Sequence, residues 1–126
     1  MARHHLRWSG SEKKIARNAF DAALRLSLEK VMAEFKAKSA AASTPGEMWN
    51  IERYLRRQRR EIDAIFDYRY SQLPFVFAQL IHAGYMEDAS LGGLSDEKLE
   101  IIRDTVSALR RLREEAAGEG RPEATR

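Results

Sequence analysis

The side chains that could do chemistry in this sequence are concentrated in one basic stretch. Residues 48–66, MWNIERYLRRQRREIDAIF, carry five arginines within eight positions and a tryptophan near the start. Such a run can bind the phosphates of a nucleic acid, bind a protein partner, or form a solvated helix face. The positions of the arginines relative to acidic and apolar residues bear on which of these applies.

Three of the five arginines have an acidic residue one helical turn away. Residues four apart are neighbours on a helix, so ion pairs are expected within the stretch. The pairs are Glu52 with Arg56, Arg57 with Glu61, and Arg59 with Asp63. The two remaining arginines, Arg53 and Arg60, share a stripe with Trp49 and Arg56, away from the apolar line of this helix. We therefore predict a large aromatic side chain that lies outside the core, beside cations.

The residues alone leave all three interpretations open. A solvated face needs no partner, because pairs four residues apart contribute only about 0.2–0.5 kcal/mol each on an exposed helix. A protein partner is favoured over nucleic acid, since Trp and Arg are enriched at the energetic centres of protein interfaces, whereas a groove-binding helix leaves more arginines uncompensated. The net charge of +3, from 22 Lys and Arg against 19 Asp and Glu, gives only weak support to a polyanion partner.

No set of residues points to catalysis, a metal or a cofactor. The chain has no cysteine, and of its three histidines His4 and His5 lie at the start while His82 lies in an apolar segment. Glu61 and Asp63 are two apart and point to different faces of a helix, so they do not form a carboxylate pair. Phosphate-binding loops and nucleophile motifs are also missing. We expect a protein that is not an enzyme and holds no metal or cofactor.

The composition favours a soluble, cytoplasmic protein. A chain without cysteine needs no oxidising compartment for its fold. No segment reaches the ~18 consecutive apolar residues of a membrane span. The first residues, MARHHLRW, lack the apolar core of a signal peptide. We expect no contact with a membrane.

Capping signals divide the chain into four helices. SGSE at 9–12 and TPGE at 44–47 are capping boxes that begin the first two helices, and the first should end near Ala41. The apolar segment FVFAQLIHAGY predicts a short helix with Gly84 as its C-cap, and Ser95 caps a last helix. The apolar seam of the second helix comprises Met48, Ile51, Leu55, Gln58, Ile62 and Ile65.

This order of helices predicts an all-α fold with a long antiparallel hairpin, the stem, and a small C-terminal helical head. The predicted boundaries are an N-terminal tail at 1–8, one domain at 9–116 with a stem at about 9–70 and a head at about 71–116, and a disordered tail at 117–126. The apolar faces of the first two helices are longer than the head can cover. A homodimer is therefore expected.

Aromatic residues gather where the second helix meets the third. They are Tyr68, Tyr70, Phe75 and Phe77. Aromatic groups at such a junction more often form a core than a carotenoid or nucleotide pocket, so we interpret them as the core of the head. Phe75 is the one member expected to reach the surface.

Several motifs, taken together in their order and spacing, resemble the fluorescence recovery protein family. They are Trp8-Ser9, Glu12 and Phe20, then Met48-Trp49, RREID at 59–63 and FVFAQLIHAG at 75–84. The resemblance runs from about Trp8 to Val106. It implies an all-α homodimer that binds the C-terminal domain of the light-activated orange carotenoid protein, or a related carotenoid-binding protein. That binding speeds the return to the orange form and ends photoprotective quenching at phycobilisomes.

The resemblance also implies two contact surfaces. The partner-binding surface maps onto the second helix and the head, at Trp49, Glu52, Arg53, Arg56, Arg59, Arg60, Phe75 and Ile101. The dimer contact maps onto Met32 of the first helix, with Phe20, Leu24, Leu28 and Phe35 on the same apolar line.

Two departures from the family pattern fall on the implied partner-binding surface. Glu52-Arg53 stands where members that bind orange carotenoid protein commonly carry a His-Asp pair, and Ile101 stands at a lysine position of the head. An arginine in place of an acidic residue changes the local charge by two units, which an interface tuned to the original charge would feel strongly. We therefore expect a divergent member whose partner contacts are retuned or whose partner differs.

Overall fold

The computed structural model describes residues 6–120, and this part of the chain is helical. The elements in chain order are α1 (Gly10–Ala41), α2 (Pro45–Ile65), α3 (Leu73–Ala83), a 3₁₀ turn (Asp88–Leu91) and α4 (Asp96–Gly120). α1 and α2 form a long hairpin, and the shorter elements after it pack into a head. The predicted fold class, an all-α hairpin with a C-terminal helical head, is confirmed; its dimeric state stays a prediction.

Both predicted capping boxes are present. The Ser9 hydroxyl accepts a hydrogen bond from the Glu12 N–H at 3.1 Å, and the Ser9 N–H donates to the Glu12 carboxylate at 3.0 Å. Thr44 and Glu47 make the same reciprocal pair at 3.1 and 3.2 Å. Each box satisfies amides that a helix start otherwise leaves without partners, which explains why these two helices begin where they do.

A buried tyrosine joins the two helices of the stem. Tyr54 is the buried residue of α2; its hydroxyl donates to the Glu34 carboxylate of α1, and the Lys38 ammonium lies 4.8 Å from its ring centroid. The predicted apolar seam of α2 was wrong at two positions. It left out Tyr54, which is buried, and it included Met48, which is 51% exposed. The seam was drawn from apolar residues, but a tyrosine whose hydroxyl finds an acceptor is readily buried.

The hydrophobic core lies in the head. Its largest fully buried side chains are Phe77, Leu73 and Leu80 of α3, Leu91 of the 3₁₀ turn and Ile102 of α4. The first half of α1 packs against them through small residues, among them Ala16 and Ala23, and through Phe20. α1 therefore belongs to the head at its start and to the stem at its end, so the boundary between stem and head does not fall at one position of the chain.

The ends of the described chain differ from the predicted tails. Trp8, assigned to an N-terminal tail at 1–8, is partly buried against the core. α4 continues to Gly120, so residues 117–120 of the predicted C-terminal tail are helical. Residues 1–5 and 121–126, which include His4 and His5, lie outside the described residues.

Candidate protein-binding site

The stripe predicted on α2 is exposed, with Trp49 at its start. The Trp49 side chain is 56% exposed, and Arg53, Arg56 and Arg60 on the same stripe are exposed as well. Successive positions of the stripe are three or four residues apart, so all four lie within an arc of about 60° around the helix. Arg59 is also exposed but lies about 80° from Trp49. An indole that remains in water beside guanidinium groups is available to a partner.

Few of the arginines of α2 are neutralised by local carboxylates. Arg56 pairs with Glu52, as predicted. Within residues 6–120 the two other predicted pairs, Arg57 with Glu61 and Arg59 with Asp63, are not formed within 4.0 Å. Arg53 donates instead to the side-chain oxygen of Asn50. α2 as a whole therefore presents more uncompensated positive charge than the sequence predicted, because Arg57 and Arg59 lack the carboxylate partners expected for them, whereas the stripe itself is paired as predicted.

The two remaining candidates for partner binding lie in the head. Phe75, near the start of α3, is exposed, and Ile101 of α4 is half-buried. Trp49 precedes Ile65, the last residue of α2, by sixteen residues. It therefore lies about 24 Å along the helix axis from the end of α2 that leads into the head. The candidate residues thus form a stripe on the stem and two separate positions on the head.

A second exposed apolar surface follows the stem half of α1. Leu28 and Met32 are exposed, Met32 by 55%, and Leu24 is half-buried. With charged neighbours they line an open groove of about 650 Å³, whose other lining residues are Asp21, Arg25, Glu29, Ala33 and Lys36. Phe35, assigned to the same predicted dimer contact, is also exposed. For convenience we call this surface the α1 groove.

Phe20 does not belong to that surface, contrary to the prediction. It is buried in the core of the head, where its ring meets Phe66 edge-on at 5.3 Å and Tyr68 at 4.8 Å. Positions four apart advance about 40° around a helix, so three such steps from Phe20 to Met32 turn the side chain by about 120°. The apolar residues from Phe20 to Met32 therefore do not share one face of α1. Phe20 faces the head, whereas Met32 faces the α1 groove.

The aromatic residues at the junction are only partly interior: Phe77 is buried in the core and Tyr68 packs against that core. Tyr70 is exposed as well as Phe75, so the expectation that Phe75 alone would reach the surface was wrong. Tyr68 packs edge-on against the rings of Phe20 and Tyr70, and the Arg17 guanidinium lies 3.7 Å from the Tyr68 ring centroid. Burial and a hydrogen bond with Tyr70 raise the pKa of Tyr68. The cluster is packed against itself and against α1, and Phe75 is exposed beside it.

Sequence reasoning missed a buried ion pair that ties α1 to α4. The Lys98 ammonium lies 3.2 Å from each carboxylate oxygen of Glu12, and the Ser95 N–H donates to Glu12 at 2.8 Å. Lys98 also donates to the Arg7 carbonyl oxygen and lies 4.9 Å from the Trp8 ring centroid. The capping box marked Glu12 as a local cap; nothing in the sequence pattern connected it with a lysine 86 positions later.

The pKa of the Glu12 carboxyl reflects opposing effects. Burial alone would raise it, but hydrogen bonds from the N–H groups of Ser9 and Ser95, together with the Lys98 ammonium, outweigh burial and bring the pKa below its usual value. In the stem, burial and the hydrogen bond to Glu34 raise the pKa of Tyr54 to about 12. Both groups therefore hold their usual charge states near neutral pH.

Neither metal chemistry nor membrane insertion is indicated by residues 6–120. This part of the chain contains no group of three or more His, Asp or Glu side chains that could hold a metal ion. None of its helices is long and apolar enough to cross a membrane.

Comparisons with known proteins agree on one family. The family model for the photoprotection regulator fluorescence recovery protein matches residues 8–108. The fluorescence recovery protein of Synechocystis sp. PCC 6803 is 30% identical over 105 residues, which cover 83% of this chain and 93% of the relative.

Solved structures agree as well. The structure of the Fremyella diplosiphon protein matches with a TM-score of 0.77 and 32% identity, and covers 80% of this chain and 99% of its own. The Synechocystis structure matches with the same TM-score and 29% identity, over the same shares of the two chains. The matched region ends at residue 108, before the end of α4.

Proposed function

The chain belongs to the fluorescence recovery protein family of photoprotection regulators, and from this we propose that it binds the photoactivated orange carotenoid protein and speeds its red-to-orange reversion without catalysing a chemical reaction. The observation that carries the proposal is the exposed Trp49 within a stripe of exposed arginines on α2. Trp and Arg are the residue types that most often supply the binding energy of a protein interface.

The two departures from the family pattern suggest retuned contacts. Glu52 is paired with Arg56, so its carboxylate is largely compensated, whereas Arg53 contacts the neutral Asn50. The stripe around Trp49 is therefore net positive where the family pattern places an acidic residue. A partner that fits it best presents carboxylates opposite Arg53, and an orange carotenoid protein tuned to the family pattern would bind more weakly. A different protein partner of the same chemistry is the alternative.

We also propose that a second copy of the chain covers the α1 groove. The groove is lined by apolar side chains together with charged side chains of both signs. In an antiparallel pairing about a two-fold axis near Leu28 and Glu29, Asp21 of one copy would lie opposite Lys36 of the other, and Leu24 opposite Ala33. A two-fold contact uses the same patch on both subunits, and this groove is complementary to itself in that sense. Four stem helices would then form a bundle.

The rate of red-to-orange absorbance recovery in the dark tests the proposed function. The unmodified chain should accelerate recovery, and Trp49→Ala should abolish most of the acceleration while leaving the thermal transition nearly unchanged, since surface changes usually alter stability by no more than about 0.5 kcal/mol. Met48→Ala is the matched control, because Met48 is an adjacent, equally exposed apolar side chain outside the arginine stripe.

The double change Glu52→His with Arg53→Asp separates the two forms of the proposal. If the departures weaken binding to orange carotenoid protein, restoring the family pair should strengthen it by about 1–3 kcal/mol where the pair is desolvated. Acceleration that the double change leaves untouched would show that these positions do not set affinity. If neither the unmodified chain nor the double variant accelerates recovery, the partner is another protein.

A further inference from the structure

The last turns of α4 continue the helix beyond the region shared with the relatives. The family match ends at residue 108, whereas α4 continues to Gly120. Residues 109–115 of this extension read LRRLREE, with three arginines before the first acidic residue. Leu112 between them is 61% exposed. We propose that this segment, the α4 extension, is an additional docking element that contacts an acidic patch on the protein partner. The inference rests on the proposed function.

The arginines of the α4 extension line a groove at the edge of the head. Arg110 and Arg113 line it together with His82 at the end of α3, and the groove has a volume of about 380 Å³. Arg110 also borders the neighbouring depression, where Arg103 lies. Arg103 has only a long, exposed contact of 3.8 Å with Asp88. Positive side chains thus follow one side of α4 from the head to the extension.

The guanidinium groups of Arg110 and Arg111 in the α4 extension do not form ion pairs with nearby carboxylates of the described chain. Arg110 and Arg111 precede Glu114 and Glu115 by four residues, which is the less favourable order for an ion pair on a helix. In the described part of the chain no carboxylate lies within 4.0 Å of either arginine. The groups are available for carboxylates of another molecule, which arginine can bind through two parallel hydrogen bonds.

The pattern fits a protein better than a nucleic acid or a membrane. Glu114 lines the same groove as Arg110 and Arg113, and a carboxylate at that position would repel phosphates on either kind of polyanion. A single exposed leucine offers too little apolar surface to anchor a helix in a lipid interface. Arginines around one apolar side chain, with acidic residues at one end, match a partner surface of mixed charge in which carboxylates face Arg110 to Arg113.

Binding kinetics with matched charge variants test the proposal. The probe is orange carotenoid protein held on a sensor surface under illumination, with the full chain in solution. Arg110→Gln with Arg113→Gln removes two charges from the α4 extension and keeps good helix formers. We expect association about three- to tenfold slower at low ionic strength, with the difference largely lost at 0.5 M salt, as for charges at the rim of an interface. Leu112→Ala should mainly speed dissociation.

The control removes the same charge elsewhere. Arg7→Gln with Lys14→Gln neutralises two exposed cations just before α1 and within it, and should change association by less than about twofold. If the two double variants behave alike while the unmodified chain binds, the α4 extension is not a docking element, although the proposed function stands. If the unmodified chain does not bind the probe, both proposals fall. Tight, salt-sensitive binding of a DNA duplex that the Arg110 and Arg113 changes abolish would assign the segment to nucleic acid and overturn the proposal.

Discussion

Replacing Glu12 with glutamine should destabilise the protein by about 3 kcal/mol, because one carboxylate serves both α1 and α4. Glu12 accepts from the N–H groups of Ser9 and Ser95 and pairs with Lys98, and both charged side chains are almost fully buried. Glutamine has nearly the same shape, so packing is preserved. It offers one acceptor oxygen in place of two and no charge to the ammonium.

The size of this loss in stability depends on which interactions Lys98 and the two backbone N–H groups retain in the variant. Breaking a buried ion pair from one side costs about 3–5 kcal/mol when the remaining charge is left alone. Lys98 retains the Arg7 carbonyl oxygen and the Trp8 ring, which lowers that cost to about 2 kcal/mol. One backbone N–H that now faces the amide nitrogen adds about 1 kcal/mol. For a chain of this length the sum corresponds to a Tm lowered by about 10–15 °C.

Acid should reveal the same interaction. The folded-state pKa of Glu12 lies below its ordinary value of 4.5. The stabilisation is therefore fully present above pH 4.5 and is lost as the pH falls through the folded-state pKa. As the pH falls below about 4.5, the unmodified protein should lose stability more steeply than Glu12→Gln, so the two unfolding free energies converge on acidification.

Denaturant unfolding at fixed protein concentration measures both effects. Glu52→Gln on α2 is the matched control: Glu52 pairs with Arg56, but both side chains are about half-exposed and lie outside the α1 groove, so the change should cost no more than about 0.5 kcal/mol. A double-mutant cycle with Lys98→Met isolates the pair itself. A cost for Glu12→Gln no larger than that for Glu52→Gln, or parallel acid profiles, would refute the reasoning.

Two further predictions concern the stem. Met32→Glu should convert a dimer into monomers, because burying a charge in the α1 groove costs several kcal/mol. Light scattering at micromolar concentration measures the molecular mass. A monomeric unmodified protein would contradict the proposed pairing. Tyr54→Phe should cost about 1–2 kcal/mol at neutral pH, since a hydrogen bond to the Glu34 carboxylate is lost. The Tyr54 pKa is raised to about 12, so this contribution is complete below pH 10 and disappears as the pH rises to 12. Unfolding free energies of the two proteins that stay parallel between pH 9 and 12 would argue against it.

Local interactions made much of the fold readable from the sequence. Ser9 and Thr44 begin helices because their hydroxyl groups cap amides three residues away, and Gly84 ends α3 because its φ of 89° suits glycine. Each of these signals depends on residues within about one helical turn, so the amino-acid sequence alone is enough to locate these helix ends. The exposure of Trp49 was also predictable, since it required only the helical phase relative to the apolar residues of α2.

The sequence by itself thus determined where α1 and α2 begin, where α1 and α3 end, the exposed stripe of α2, and the family motifs. The tertiary structure decided which part of each face is covered. Phe20 is buried and Met32 is open on one helix because the head reaches only the first half of α1. The Glu12–Lys98 pair and the Tyr54–Glu34 bond join residues 86 and 20 positions apart, which no local pattern encodes. Helical periodicity is set by residues close together in the chain. Which side chains are buried depends on how elements distant in the chain pack against one another.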